Sequence, residues 1–448
     1  MPADRNLLLV FARGLRSDVI GDAQAWPLRT PQLERFARQG LRAVATSACP
    51  TDVGGMTSLL TGLHARQHGR TGDGPSQPLA NTCLHWLAEA GYHVAGVGAV
   101  GAVATALDDA VVVDDVSAVD PSHCAYWQMA SGRGLAGVLG DQRRQRLRTG
   151  PFEPHRLLLD PEDDIDGYIS RQAVAMLDRM PTDKPWAMVV IFTGPGNELP
   201  PPTLYEDLVS PAELRTPFVP VDLRQLDALG EPAYPRTLLQ RLEPHTLARI
   251  RADYLGRVGL LDYAVGRLTC SIAQRRDADR TWTLLSADHG HLLGEHGFVG
   301  QRSFLAPAVE VPLLLVPPAT APLATGQVVV DGLVSTVDIA PTIAALGAAD
   351  APPNLAGRSL LPMLQGGALP AGDGNVNLSE FGDRLMLETE RFKIIFNRVT
   401  RSCLGLYDLL NDPDEKQNLA DQPRGLNLLD ALRLRLVDAL LPLRGASG

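Results

Sequence analysis

The sequence predicts an α/β fold: a large, mostly parallel mixed central sheet sandwiched by helices, with a small C-terminal α+β domain. Short apolar runs alternate with amphipathic stretches along most of the chain, which is typical of strands joined by crossover helices. The chain has 448 residues, of which 45% are hydrophobic and 21% charged, enough for one large globular domain and a smaller one. Near the C-terminus the pattern changes to that of short antiparallel strands.

Each strand of the large sheet is predicted from a short apolar run. Between the strands, periodicity predicts helices, one of them starting at Pro31 and stopping at Gly40, and a long one from an N-cap at Thr246 to Arg275. The proline-rich segment Leu199–Pro244 predicts a surface loop that either shapes a binding site or only covers the domain. The predicted strands are Leu7–Phe11, Leu41–Thr46, Val94–Val97, Val111–Val113, Trp186–Phe192, Thr281–Ser286 and Val311–Val316.

A Gly/Pro/Ala-rich break, Gly366–Gly374, predicts the domain boundary. We therefore expect an α/β domain over residues 1–366 and a small α+β domain over 375–448. In the small domain, "RFKIIFN" and "LGLYDLL" predict antiparallel strands, and Leu426–Leu443 predicts an amphipathic helix that closes the domain or forms an interface.

Composition excludes several classes of function. A net charge of −10 argues against nucleic-acid binding, and the basic stretch Asp141–Arg148 is short enough to be a solvated face. No apolar run is long enough to span a membrane. The five cysteines lack CxxC spacing, and the N-terminal residues lack a secretory pattern, so we expect a reduced, cytoplasmic protein.

The segment "ADHGHLLGEHGFVGQRS", residues 287–303, follows a predicted strand directly. An Asp-His pair at the carboxyl end of a strand predicts a metal or phosphoryl site, here Asp288 and His289. From these residues alone, His289, His291 and His296 could equally be loop histidines that bind backbone carbonyls.

With its surroundings, this segment resembles the sulfatases of the alkaline-phosphatase superfamily, which also contains phosphonate monoester hydrolases. The opening "NLLLVFARGLRSD", the following "TPQLERFARQGLRAVATSACPTDVGGMTSLLTGLHARQHG", and the later "VSTVDIAPTIAALG", "LAGRSLLPML" and "LYDLLNDPDEKQNLAD" resemble family signatures in the family's order. The resemblance implies an alkaline-phosphatase-like domain and a small domain with a four-stranded antiparallel sheet. It also implies hydrolysis of sulfate or phosphate esters by a nucleophile held against a divalent metal.

The catalytic positions depart from the family pattern. Where the family's first strand ends in two adjacent metal ligands, this chain has Arg13 and Gly14, and arginine cannot ligate a cation. Asp288 and His289 remain as residual family ligands. The histidine of the family's Pro-His pair corresponds to Gly196.

The nucleophile motif, Cys/Ser-x-Pro-x-Arg in the family, aligns with "DVGGM". Asp52 then occupies the nucleophile position, Gly54 that of proline and Met56 that of arginine, while Thr51 is a second nucleophile candidate. Cys49 lies three residues upstream and lacks the flanking pattern for conversion to formylglycine. Further on, the family lysine corresponds to Gln301, beside which Arg302 could supply a positive charge.

These changes predict a pseudoenzyme that has lost metal-dependent hydrolysis and holds no resident metal. We expect Arg13 to occupy the vacated cation position and to pair with Asp288, Asp52 or both. Such a protein could bind a small anionic ligand through Arg13, Gln301 and Arg302, or act as a homo-oligomer or the partner of an active relative. The alternative is an active ester hydrolase that uses Thr51 or Asp52 with Asp288, His289 and a divalent ion such as calcium or manganese. A mutase-like transferase or isomerase is a third, less supported possibility.

Overall fold

Three adjacent parallel strands form the centre of the large sheet in the computed structural model. The structure describes residues 5–21, 25–72, 78–113, 124–149, 159–197, 199–217, 243–318, 320–321, 327–369, 376–420, 422 and 425. The strand order is β10-β2-β9-β6-β1-β5-β3-β4, and β11 also pairs with β2. Strand β9 runs antiparallel to both β2 and β6, whereas the other pairs in this sheet are parallel. The sheet strands are β1 (Asn6–Arg13), β2 (Leu41–Thr46), β3 (His93–Gly98), β4 (Asp109–Val112), β5 (Trp186–Pro195), β6 (Thr281–Ser286), β9 (Glu310–Val316), β10 (Val328–Val329) and β11 (Val334–Ser335).

The central strands are buried along their whole length, because helices cover both faces of the sheet. Residues of β1 and β5 such as Phe11 and Phe192 are fully buried. Among the described residues, no helix is both long and apolar enough to cross a membrane. The helices are α1 (Pro31–Ala37), α2 (Asp52–Thr61), α3 (Ala65–His68), α4 (Cys83–Glu89), α5 (Ala125–Gly132), α6 (Ala136–Thr149), α7 (Ile165–Leu177), α8 (Pro244–Gln274), α9 (Ala306–Val309), α10 (Ile339–Gly347) and α11 (Leu361–Leu364).

A four-stranded antiparallel sheet, in the order β12-β13-β14-β15, follows the large sheet in the chain. It packs on the large domain through Phe381 and Phe304, whose ring centroids lie 5.5 Å apart, and the Asn377 side chain donates to Thr46 Oγ1 at 2.8 Å. The strands are β12 (Asn377–Phe381), β13 (Arg384–Glu388), β14 (Phe392–Asn397) and β15 (Cys403–Asp408), and a separate hairpin pairs β7 (Leu292–Leu293) with β8 (Val299–Gly300).

The predicted fold class is confirmed, and the element bounds differ in detail. The long helix α8 starts at Pro244 with Glu243 as its N-cap, so the predicted cap at Thr246 is wrong. Proline at the first helical position lacks only an N–H that would be unpaired there, so the helix can begin earlier. The predicted helix Leu426–Leu443 and most of the loop before Pro244 lie outside the described residues, and the domain bounds stay a prediction.

Candidate functional site

The carboxyl ends of three neighbouring strands bring the candidate residues together. Strand β6 leads to Asp288, β1 ends at Arg13 and β5 is followed by Gly196, and these strands are adjacent in the order β6-β1-β5. The register between β1 and β5 shifts after Ala12, so Arg13 pairs with Pro195. The parallel part of the sheet places these ends at one edge, where α/β proteins collect ligands and catalytic groups.

Asp288 is fully buried at this edge. Its Oδ1 accepts hydrogen bonds from the backbone N–H of Gly14 at 3.2 Å and of His289 at 2.8 Å. Its Oδ2 is buried and has no hydrogen-bond partner among the described residues. Burial raises the pKa of this carboxyl and the nearby Asp52 charge adds to the rise, whereas the positive charges of His289 and Arg13 oppose it.

His289 lies between two hydrogen-bond acceptors. Its Nε2 is 2.8 Å from Asp52 Oδ1, and its Nδ1 is 2.7 Å from the Gly290 carbonyl oxygen. A carbonyl and an ionised carboxylate only accept, so both ring nitrogens carry protons in this geometry. Burial disfavours the charged ring, but Asp288 and Asp52 outweigh it and raise the pKa of His289 to about 9.

Asp52 is the first residue of α2. Burial opposes its ionisation, yet the hydrogen bond from His289 and the charges of His289 and Arg13 hold its pKa well below the usual range. The Gln301 side chain also hydrogen-bonds to this carboxylate and lowers its pKa further. The charge of Arg13 therefore acts on both Asp52 and Asp288, which is the arrangement expected if arginine stands in for a cation.

The described residues supply only part of a divalent-metal site. Asp52, Asp288 and His289 each offer one ligand atom, and these atoms lie within 4.8 Å of one another. A histidine must be neutral to bind a metal, however, and both nitrogens of His289 face acceptors. Calcium prefers about six to eight oxygen ligands, and two carboxylates offer few of them. Two carboxylates, one imidazolium and one guanidinium form a cluster that neutralises itself.

Gly14 and Gly196 are the two glycines that the sequence resemblance assigns to the positions of a metal-ligating carboxylate and a histidine. Gly14 has a φ of +69°, and a Cβ on it would lie 2.7 Å from the Cα of Gly196. A Cβ on Gly196 would lie 2.9 Å from the Cα of Gly14 and 3.1 Å from His291 Nδ1. The Gly196 N–H donates to the Arg13 carbonyl at 2.9 Å, which holds the two loops together. Neither position has room for the side chain that the family places there.

The second nucleophile candidate, Thr51, is fully buried and serves as the N-cap of α2. Its Oγ1 accepts from the Gly54 N–H at 3.2 Å and lies 3.3 Å from Cys49 Sγ. A Cβ on Gly54 would clash with Cys49 Sγ, and Met56, at the position of the family arginine, is buried in the core. This geometry favours a structural role for Thr51, and its role as nucleophile stays an untested prediction.

Gln301 and Arg302 lie at the end of the same segment. Gln301 contacts Asp52, as described above, and the backbone N–H of Arg302 donates to the Pro50 carbonyl at 3.0 Å. Arg302 has a positive φ of 69°, so the chain turns sharply here. Both residues thus lie next to the start of α2, and their role in binding an anion stays a prediction.

Residues that the sequence did not single out hold the strand ends in place. Tyr254, on α8, donates its hydroxyl to the Gly14 carbonyl at 2.8 Å and accepts from the Arg16 N–H at 3.0 Å. Asp166 accepts from the backbone N–H groups of Thr193 and Gly194 at 2.8 and 3.1 Å, at the end of β5. These contacts join residues far apart in the chain, and no local sequence pattern signals them.

Comparison with known proteins identifies the family. The sulfatase family model matches residues 5–349, and a model described as N-sulphoglucosamine sulphohydrolase, C-terminal, matches residues 294–440. The first match covers most of the chain. Together with the fold and the site at the strand ends, it shows that the chain belongs to the sulfatase family.

Relatives and solved structures agree with this assignment. An arylsulfatase of Clostridium perfringens is 23% identical over 459 aligned positions, covering 97% of this chain and 94% of the relative. Human arylsulfatase K is 30% identical over 204 positions, covering 42% of this chain and 37% of the relative. The solved phosphonate monoester hydrolase of Silicibacter pomeroyi has a TM-score of 0.79 at 21% identity, with coverage of 98% and 95%. At that identity the structural likeness supports the fold alone.

Proposed function

We propose that this chain is a sulfatase-family pseudoenzyme that has lost metal-dependent ester hydrolysis and uses the remaining site to bind an anionic ligand or a partner protein. The observation that carries the proposal is the contact between Gly14 and Gly196 beside Arg13. A Cβ on either glycine would meet the other backbone, and the charge of Arg13 acts on both Asp52 and Asp288, which supports a guanidinium in the place of the family's cation. Catalysis in this family requires a cation that stabilises the ester oxygens and activates the nucleophile.

The electrostatics of the site support the same conclusion. Asp52 is an anion held in a hydrogen bond with His289, so it is a poor nucleophile toward an anionic ester. The predicted anion-binding side chains are Arg13, whose charge already acts on Asp52 and Asp288, and Arg302, whose backbone N–H donates to the Pro50 carbonyl. A ligand with a sulfate, phosphate or carboxylate group is therefore the class that we expect to bind.

The alternative is an active hydrolase with an unusual centre, built from Asp52, Asp288 and His289. One observation favours it: three potential ligand atoms lie within 4.8 Å, and Asp288 Oδ2 has no hydrogen-bond partner among the described residues. Asp52, Asp288 and a neutral His289 would hold the ion, which would supply positive charge for the ester oxygens. The two relatives described above also bear the names of ester hydrolases, arylsulfatase and arylsulfatase K.

An activity and metal-binding experiment separates the two functions. The purified chain is assayed with aryl sulfate, phosphate monoester and phosphonate monoester substrates, without metal and with Ca²⁺, Mn²⁺ or Zn²⁺. The Asp288→Ala variant serves as the control, because contaminating hydrolases are unaffected by it. We expect equal background rates for both proteins and no metal retained after dialysis. Metal-dependent turnover that Asp288→Ala abolishes would show that the chain is an enzyme.

A further inference from the structure

A cavity lies beside the segment 287–303, which carries Asp288 and His289, and is lined in part by Glu295 and His296 of that segment. Its volume is about 490 Å³, within the range of about 300 to 1,000 Å³ that small-molecule sites occupy. Its lining includes Arg16, Trp26, Arg251, Glu295 and Glu310, together with residues of the segment that follows β15. The lining contains none of the candidate-site residues, which are called the relict centre below: Arg13, Thr51, Asp52, Asp288, His289, Gln301 and Arg302.

Two buried side chains in this cavity have donors without acceptors. Arg251, on α8, is 8% exposed, and its Nε and Nη1 have no hydrogen-bond partner among the described residues. Trp26 is 3% exposed, and its indole N–H also has no acceptor in that part of the chain. A buried donor without an acceptor is costly, and a buried guanidinium more so. Such groups persist in native proteins where a ligand or solvent supplies the acceptor.

The two donors belong to one stacked unit. The guanidinium carbon of Arg251 lies 4.6 Å from the centroid of the Trp26 ring, and that of Arg16 lies 5.0 Å from it. Two positively charged groups thus lie close to one indole ring. Cation–π interactions stabilise this arrangement, but they do not neutralise the two charges. Both guanidinium groups lie against the ring, and the indole N–H is the polar group of Trp26 that has no acceptor among the described residues.

The charges of Glu295 and Asp18 act on Arg251, but neither carboxylate forms an ion pair with it among the described residues. Arg16 pairs with Asp18 at 2.7 Å and with Glu295 at 2.8 Å, so one guanidinium serves two carboxylates. Burial, with the nearby Glu388 charge, raises the pKa of Glu310 to about 7, so near neutral pH this group is partly protonated and can donate.

Two further acids of the lining have their own partners. Glu415 pairs with the buried Lys393 at 2.7 Å, and Asp414 pairs with Lys416 at 2.5 Å. No ion pair joins Arg251 to any of the described residues. Its hydrogen-bonding capacity is therefore open to a ligand.

We propose that this cavity binds the oxyanion group of a small molecule, a carboxylate, sulfate or phosphate, between the Trp26 indole N–H and the Arg251 guanidinium. The guanidinium of Arg251 lies 4.6 Å from the indole ring, so an oxyanion with several oxygens could accept from both side chains, and hydrogen bonds from a guanidinium to an oxyanion are among the strong ones. The volume leaves room for an organic part beyond the oxyanion. The site does not depend on whether the relict centre turns over a substrate.

Indole NMR tests the proposal, because the chain has only five tryptophans. In the full chain labelled with ¹⁵N-tryptophan, the Trp26 signal is assigned with Trp26→Phe. Sodium sulfate, phosphate and acetate are titrated separately at constant ionic strength, with chloride as the balancing ion. We expect a saturable downfield shift of the Trp26 N–H with one or more of these probes, and the strongest binder identifies the oxyanion class. The other four indole signals serve as internal references.

Two arginine variants on the same helix provide the control. Arg251→Met removes the proposed binding group and should weaken the affinity at least tenfold. Arg267→Met removes a guanidinium that pairs with Glu162 at 3.1 Å, outside the cavity lining, and should leave the affinity unchanged. Circular dichroism establishes that both variants are folded. If the Trp26 signal does not respond to any probe, or responds equally in Arg251→Met, the proposal is wrong; activity of the relict centre has no bearing on either result.

Discussion

The charged state of His289 makes a quantitative prediction about stability and pH. The two carboxylates raise the pKa of this ring from an ordinary value of 6.5 to about 9 in the folded protein. A rise of that size corresponds to about 3 kcal/mol of differential stabilisation of the protonated ring. Because the folded pKa lies above the unfolded one, this contribution is fully present below about pH 6.5 and is lost as the pH rises through 9.

The comparison of wild type with His289→Gln isolates this contribution, since other titrating groups are common to both proteins. The free energy of unfolding is measured by urea denaturation at several pH values between 6 and 10. We expect the stability difference between wild type and variant to shrink by about 3 kcal/mol across this range. Asp52→Asn, which removes one of the two carboxylates, should move the transition to lower pH. A difference that stays constant with pH would refute the assignment of an imidazolium at this site.

Three further variants test the surroundings of the site. In the wild type, Arg257 pairs with the buried Asp164 and Asp166 at 2.8 and 2.6 Å. Arg257→Leu leaves both carboxylates buried without a cation and should lower the free energy of unfolding by about 3 to 5 kcal/mol. An unchanged urea midpoint would contradict this. Glu310→Gln should flatten the loss of stability between about pH 4.5 and 7, because the raised pKa of Glu310 makes the wild type less stable as that carboxyl ionises; an equal pH slope in both proteins would show that this carboxyl is not responsible. Gly14→Ala should cost at least about 1 to 3 kcal/mol, owing to its positive φ and the close approach of the β5 loop, and a melting temperature equal to wild type would argue against that packing.

The fold class could be predicted from the sequence because the central strands are continuous apolar runs. The run that predicts a strand over Leu7–Phe11 corresponds to β1, Asn6–Arg13, and burial on both faces explains why that pattern is so clear. Polar ends of elements were less predictable. The start of α8 depended on whether Pro244 or Thr246 began the helix, and both are common near helix N-termini.

The candidate site was predictable only as a set of positions. Alignment to the family motifs indicated that Asp52, Asp288 and His289 belong to one site, but not that His289 would donate to Asp52 across 237 residues of sequence. No sequence pattern indicated the cavity around Trp26 and Arg251. A single tryptophan is usually a core residue, and an arginine in a long helix is usually a surface residue. Their importance emerges from unpaired donors, which only three-dimensional packing defines.

The contact between Gly14 and Gly196 also limits which substitutions could turn this chain into a metal-dependent hydrolase. Replacing Arg13 with aspartate adds one carboxylate, but a side chain at position 14 would clash with Gly196 while the two backbones stay this close. Reintroducing both family groups requires the loop after β5 to move away from the end of β1. A library that varies the length of that loop together with positions 13, 14 and 196 should therefore yield metal-binding variants, whereas a library of single substitutions should not.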